Sequence, residues 1–168
     1  MEIKPISEIT SEQKKQLSQV LVEAVNGGAS VGFMLPFSIN DAENYWSMID
    51  SNLNNHHLLW VAVENYLIIA TVQLILTKSQ NGQHRAEVVK LLVSPHFRAQ
   101  KVATKLMNAL ETEAHKLGIT LLLLDTQTGS TAETVYQHLG WQKVGEIPNY
   151  AKNPSGVLCS TSYFYKLI

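Results

Sequence analysis

The sequence predicts an α/β (α+β) fold: a mixed, mostly antiparallel sheet of about seven strands with about four helices on its faces. Three observations carry this. Strand-like apolar runs alternate with helix-period patterns along all 168 residues. The early strands follow one another through short turns, which makes an antiparallel meander. The segment from Arg85 through Leu124 reads strand–helix–strand, which implies a parallel pair with a right-handed crossover.

Residues 2–6 suit a short first strand. Thr10 and Gln13 form a capping box, and Leu17, Val20, Leu21, Ala24 and Val25 then recur at helical spacing until Gly27-Gly28 stops the helix. A loop runs through Gly32 to Pro36. Asn40 with Glu43 is read as the start of a second helix, whose apolar face is Ala42, Tyr45, Trp46, Ile49 and Leu53. Leu58–Val63 and Leu67–Leu76 are strands joined by a tight turn near Asn65. Asn81-Gly82 is a hairpin signal between the latter and Arg85–Val93. After a break at Pro95, a helix is expected over about 99–117, with Val102, Leu106, Ala109, Leu110 and Leu117 inward and Gly118 as its stop. Leu121–Leu124 is continuously apolar, as a buried central strand should be. A short helix over 131–139 ends at Gly140, and 141–147 and 160–167 read as the last strands.

The length suits one domain, 1–168, and a composition 45% hydrophobic and 16% charged supports a real core. A formal net charge of -1 supplies no global field for nucleic acid or anionic membrane. No apolar run reaches about 18 residues. The opening Met1-Glu2-Ile3-Lys4-Pro5 has no apolar signal region. A cytoplasmic location without membrane or nucleic-acid partners is therefore expected. The single cysteine, Cys159, precludes an internal disulfide and reads as a structural thiol. The six histidines show no metal spacing, so no metal is expected. An edge strand near 160–167 could pair two chains into a homodimer.

The most informative segment lies where the third strand of the meander gives way to the long helix. Arg98, Lys101 and Lys105 occupy the helix start, and no acid occurs between Lys90 and Leu110. The helix dipole favours anions there, so an external anion would resolve the conflict of sign. Alone, the pattern also fits a solvated basic face. It is not a P-loop, since no Gly-x-x-x-x-Gly-Lys occurs.

Arg98-Ala99-Gln100-Lys101-Val102-Ala103 resembles the coenzyme A motif (Arg/Gln)-x-x-Gly-x-(Gly/Ala) of the GNAT (general N-acetyltransferase) superfamily, with Lys101 in place of the central glycine. The resemblance implies the GNAT fold, with acetyl-CoA as co-substrate. It places Arg98, Ala99, Gln100, Lys101, Val102, Ala103 and Thr104 around the coenzyme pyrophosphate, and Leu92 and Val93 beside the pantetheine arm. Ala132 through Trp141 resembles the family helix whose tyrosine, here Tyr136, protonates the leaving thiolate. Gly27–Met34, Asn81-Gly82 with Arg85–Val88, and Val144–Tyr150 are similar to the tabtoxin-resistance acetyltransferases, which implies a small amino-acid-like amine as acceptor.

An amine attacks a thioester only when neutral, so a base is needed. Glu87, on the strand leading into the cationic segment, and Asp125, just past four leucines, are the candidates; a wet sheet face and a turn cap are their plainer alternatives. A backbone N–H near Val93 would meet the oxyanion. The loop Gly28–Pro36, with Phe33 and Met34, suits a lid over the acceptor, and Tyr150 could line the same mouth. A non-catalytic acyl-CoA sensor and a nucleotide-phosphate binder remain as alternatives, the first predicting binding without turnover.

Overall fold

The computed structural model describes residues 1–168. In chain order the elements are β1 (Glu2–Ile6), α1 (Ser11–Asn26), α2 (Ile39–Asn52), β2 (His57–Glu64), β3 (Leu67–Leu76), β4 (Arg85–Val93), α3 (Val102–Lys116), β5 (Leu121–Gln127), α4 (Thr131–His138), β6 (Gln142–Lys152) and β7 (Leu158–Leu167). The seven strands form one sheet in the order β1-β2-β3-β4-β5-β7-β6. Only β4 and β5 run parallel, so the expected mixed, mostly antiparallel sheet with four helices is what the chain forms. No helix is long and apolar enough to cross a membrane.

Each face of the sheet has its own core. On one side α3 and α4 bury Val102, Leu106, Met107, Leu110 and Tyr136 against Trp60, Leu74, Val88, Leu122 and Phe164. On the other, α1 and α2 bury Leu17, Leu21, Val25 and Trp46 against Leu59, Val61 and Leu92. The helix periodicity specifies this packing, because residues three and four apart share a face. The Thr10–Gln13 capping box is present in both directions. Asn65 and Tyr66 make the two-residue turn between β2 and β3, with φ 49° and 66°, as a type I′ hairpin requires.

The chain departs from expectation at four places. α2 is capped by Ser38 and Asp41, not by Asn40 and Glu43: the Ser38 hydroxyl accepts from the Asp41 amide at 3.1 Å, and the Asp41 carboxylate accepts from the Ser38 amide at 2.9 Å. Asn81-Gly82 is not a tight hairpin turn. β3 and β4 stop pairing at Leu76–Ala86, and the wider connection holds a 3₁₀ turn, Gln80–Gly82. Gly82 serves close packing instead, since a Cβ there would lie 2.8 Å from Thr77 Cγ2. α3 begins at Val102, because Ala99 and Lys101 take left-handed φ of 60° and 59° and cannot continue a helix backwards. Finally, β7 is not an edge strand. It pairs with β5 on one side and β6 on the other, so β1 and β6 are the edges and 160–167 offers no free ladder to a second chain.

Leu106 on α3 is fully buried between helix and sheet. Leu106→Ala is expected to lower stability by about 2–5 kcal/mol, read as a shift of the urea-denaturation midpoint. A loss below about 1 kcal/mol would mean that the α3 face is not packed as described.

Candidate functional site

The site originates in a defect of the sheet. β4 and β5 pair over only three residue pairs, Arg85–Leu121, Ala86–Leu122 and Glu87–Leu123, and then separate. β5 instead stays with β7 through Gln127. The separation coincides with a bulge in β4. Thr71 pairs with Leu92 and Gln73 with Val89, so Lys90 and Leu91 together oppose the single residue Val72. Lys90 takes up the extra length with φ 53°. The result is a wedge-shaped opening between Val88–Val93 and Leu124–Gln127.

At the end of β4 the chain turns into α3 through a row of unused donors. The amides of residues 99–104 make no hydrogen bond within the protein. The first helical bond is Lys105 N–H to Lys101 O, at 3.1 Å. Ala99 and Lys101 in left-handed conformation, with the helix start behind them, curl these amides into a concave nest of positive partial charge. Arg98, Lys101 and Lys105 surround it with exposed side chains, and no acid lies in the first turn. Lys101 thus holds the backbone conformation that a glycine would hold, with its long chain exposed. These residues fit a diphosphate. The Ser94 amide donates to Ile69 O at 2.9 Å and its hydroxyl to Glu23 at 2.8 Å, which fixes the strand end. Alternation along the strand then aims the Val93 amide away from β3, into the opening.

On the α1/α2 side, the opening is lined by charge. Glu87 and Asp125 are both exposed at the mouth. Asp125 accepts a hydrogen bond from the Thr161 hydroxyl at 3.0 Å. Desolvation by the cleft walls, reinforced by the Asp125 charge, pushes the Glu87 carboxyl above its ordinary pKa, and Lys90 opposes the shift. Lys90 is pushed down by burial, against the pull of Asp125 and Glu87. Tyr163 points at the same carboxylates; its hydroxyl donates to that of Tyr150 at 2.8 Å, and this bond with burial raises its pKa to about 12.

Tyr136 enters from the other face. Its ring is 7% exposed and packs against Trp141 and Phe164, each 6.0 Å away by ring centroid. The hydroxyl has no hydrogen-bond partner in the protein, yet it is not among the sealed unpartnered polar atoms, so it reaches open space. Burial, and then the Asp125 charge, hold its pKa above the ordinary tyrosine value. It is therefore a proton donor at neutral pH. A groove of about 340 Å³ between α3 and α4 begins beside it, lined by Thr104, Thr131, Thr134, Val135, His138 and Leu139.

The loop Gly28–Pro36 lies over the α1/α2 side. Phe33 packs on Phe37 and Tyr45, at 4.7 and 5.2 Å between centroids, and faces Lys90. The Leu35 amide donates to Pro154 O at 2.9 Å, which ties this loop to the β6–β7 turn. Glu87, Asp125, Phe33 and Tyr150 thus share one mouth. Met34 is 44% exposed and lines a depression on this loop together with Phe33, Pro36 and Asn44.

Sequence reasoning missed Lys90, Tyr45 and Tyr163. The signal for Lys90 was present, a lone charge inside Val88-Val89-Lys90-Leu91-Leu92. Tyr45 was counted only as part of an apolar helix face; in the structure its hydroxyl accepts from Gln73 at 3.1 Å. No group of three or more histidine, cysteine, aspartate or glutamate side chains is arranged to hold a metal ion.

The sequence model of the Acetyltransferase (GNAT) family matches residues 17–141. The chain is 29% identical over 101 residues to a [ribosomal protein bS18]-alanine N-acetyltransferase of Haemophilus ducreyi; the match covers 60% of this chain and 65% of that one. Among solved structures, a ribosomal-protein-alanine N-acetyltransferase from Brucella melitensis superposes with a TM-score of 0.81 at 15% identity, over 100% of both chains. An aminoglycoside 6'-N-acetyltransferase complexed with coenzyme A gives 0.74 at 20%, over 99% of this chain and 97% of that one. A putative acetyltransferase from Salmonella typhimurium with its cofactor acetyl-CoA gives 0.77 at 11%, over 99% and 94%. At these identities the structural likeness speaks for the fold.

The left-handed lysine yields a test of the nest. Lys101→Gly is expected to raise stability by up to about 1 kcal/mol in thermal denaturation, by removing the Cβ clash of a left-handed residue. A clear loss of stability would show that the lysine side chain itself holds the turn.

Proposed function

Since the chain belongs to the Acetyltransferase (GNAT) family, we propose that it transfers the acetyl group of acetyl-CoA to a primary amine of a small molecule, with amino-acid-like compounds and toxins as the foremost candidates. The observation that carries the reading is the row of free amides at residues 99–104, beside an opening that starts where β4 leaves β5. Arg98, Ala99, Gln100, Lys101, Val102, Ala103 and Thr104 would hold the coenzyme diphosphate, and Leu92 and Val93 would flank its pantetheine arm. When bound, the coenzyme supplies an acetyl group activated as a thioester.

The chain's own residues supply the remainder. Glu87 takes the proton of the incoming ammonium, directly or through water; its raised pKa makes it a better base than an ordinary carboxylate. Asp125 keeps that pKa up and adds negative potential that attracts a cationic amine. The Val93 amide faces the acyl oxygen as negative charge develops there. Tyr136 delivers its proton to the departing sulfur from the opposite face. Phe33, Met34 and Tyr150 bound the acceptor, Met34 from the depression it shares with Phe33.

A small acceptor is supported by the link from Leu35 to Pro154, which bridges the mouth. The named relatives act on a ribosomal-protein alanine and on an aminoglycoside, so amine acetylation is the common chemistry and the acceptor differs. The resemblance of Gly27–Met34, of Asn81-Gly82 with Arg85–Val88, and of Val144–Tyr150 to the tabtoxin-resistance acetyltransferases favours an amino-acid-like acceptor.

Following free thiol during incubation with acetyl-CoA and a panel of amines tests the reading. Coenzyme binding without any turnover would favour the sensor instead. Tyr136→Phe is expected to lower kcat by roughly 10²–10⁴-fold; an unchanged kcat removes the tyrosine from the mechanism. Arg98→Ala is expected mainly to raise the KM for acetyl-CoA. A base works only when deprotonated, so kcat/KM should rise with pH through the raised Glu87 pKa. Asp125→Asn removes a neighbouring negative charge, lowers that pKa and moves the acidic limb to lower pH. If Glu87→Gln leaves the limb in place, another group is the base.

A further inference from the structure

An ammonium group sits in the acceptor half of the cleft, within the field of Asp125 and Glu87 but in direct contact with no carboxylate. Lys90 is half-buried, and its Nζ forms no ion pair and no hydrogen bond with the protein. By contrast, Lys166, equally half-buried, is held by both Glu111 carboxylate oxygens at 2.9 and 2.8 Å and by Leu139 O at 2.8 Å. Lys90 has only aromatic faces: its Nζ lies 5.8 Å from the Phe33 centroid and 6.0 Å from that of Tyr45. Such contacts offset only part of the cost of enclosing a charge and leave its N–H donors unused.

Its position follows from the bulge. Residues three apart on a regular strand point to opposite faces, so Glu87 and Lys90 should be separated by the sheet. The extra residue of β4 brings Lys90 round to the side of Phe33, Tyr45 and the carboxylates. The Gly28–Pro36 loop passes beside the ammonium: a Cβ on Gly32, which has φ 92°, would lie in ordinary contact with Lys90 Nζ, at 3.8 Å. Tyr45 is itself held by Gln73, which meets His57 Nε2 at 2.8 Å, so the aromatic wall is anchored in the sheet.

The acceptor site thus presents two carboxylates and one ammonium that influence one another without forming an ion pair. A simple alkylammonium would meet Glu87 and Asp125 but also the repulsion of Lys90. We infer that Lys90 is a specificity-determining residue that binds a carboxylate of the acceptor, so that the substrates are amino acids or compounds with an amino-acid head, their amine turned toward Glu87 and Asp125. This rests on the acetyl-transfer reading and names the substrate class for it. The unused donors of Lys90 and a carboxylate form charge-assisted hydrogen bonds in a cleft partly screened from water.

Matched pairs decide the matter: alanine and ethylamine, lysine and cadaverine, phenylalanine and phenethylamine, together with a short peptide amide bearing an N-terminal alanine. For at least one pair, kcat/KM should favour the carboxylated member by roughly 10- to 100-fold. Lys90→Met should erase that preference by raising KM for the amino acid more than for the plain amine, both rates also shifting as Glu87 loses the opposing charge, and Lys90→Arg should retain part of it. Equal rates within every pair, preference for the peptide amide, or a Lys90→Met variant that slows both members alike would overturn the inference. The wild-type ratios decide even if Lys90→Met fails to fold. Calorimetric binding of the same pairs to the protein saturated with coenzyme A gives a readout without turnover. If no amine is acetylated, the transfer reading fails, while tighter binding of the amino acids, lost in Lys90→Met, would still sustain the carboxylate contact and its absence would refute it.

Discussion

Everything at the site depends on the failure of β4 and β5 to remain paired. A parallel ladder in the middle of a sheet is normally buried and continuous. Here it lasts three residue pairs, and the strands then diverge while each keeps its outer neighbour. Two half-sheets are therefore joined only near Glu87 and Leu123. The exposed inner edges of β4 and β5 carry backbone groups without partners, which is costly unless something else fills the gap. An extended arm with amide groups, such as pantetheine, is chemically suited to do so. The fold tolerates the gap because the core under α3 and α4 spans both halves, with Trp60, Leu74 and Val88 from one and Leu122 and Phe164 from the other.

The same divergence sorts the charges. Cations gather at the start of α3, where the free amides already concentrate positive partial charge. Carboxylates gather where the two strands part, exposed on the face that carries the Gly28–Pro36 loop. With a net charge of only -1, the molecule has little long-range field, so these local fields do the selecting. In the proposed reaction they keep the two substrates apart in orientation as well as in place: the anionic diphosphate is drawn to one end and the cationic amine to the other, and the thioester lies between.

Much of this was legible in the sequence because it is local. The apolar periodicity of Leu17–Val25 and Leu106–Leu110 specified helices, and the continuous run Leu121–Leu124 specified an interior strand. The cationic segment Arg98–Lys105 marked the anion site, although only the structure shows that Lys101 adopts the left-handed turn its motif needs. What escaped was non-local. Nothing in residues 158–167 says that β7 inserts between β5 and β6, so an interior strand was read as an edge. The bulge at Lys90 is invisible to a period-of-two argument, which sends that side chain to the wrong face. Tyr163 lay within a strand whose alternation was recognised, but its pairing with Tyr150 across β6 and β7 depends on a register the sequence does not disclose.

The cleft contains several tyrosines, and their surroundings separate their roles. Tyr163 is near the carboxylates, yet its hydroxyl proton is already committed to Tyr150. Tyr45 accepts from Gln73 and supports Phe33, which makes it part of a wall. Tyr136 alone combines a ring fixed in the core with a hydroxyl that nothing in the protein uses. A leaving thiolate has an ordinary pKa near 8.5, below that of a tyrosine, so donation from Tyr136 would run against the pKa difference and draw on the positioning of its free hydroxyl. Burial first and then Asp125 raise the pKa of Tyr136, which keeps the proposed acid protonated at neutral pH, and the same two causes raise that of Glu87. One aspartate, steadied by Thr161, thus biases the proposed base toward accepting a proton and the proposed acid toward holding one.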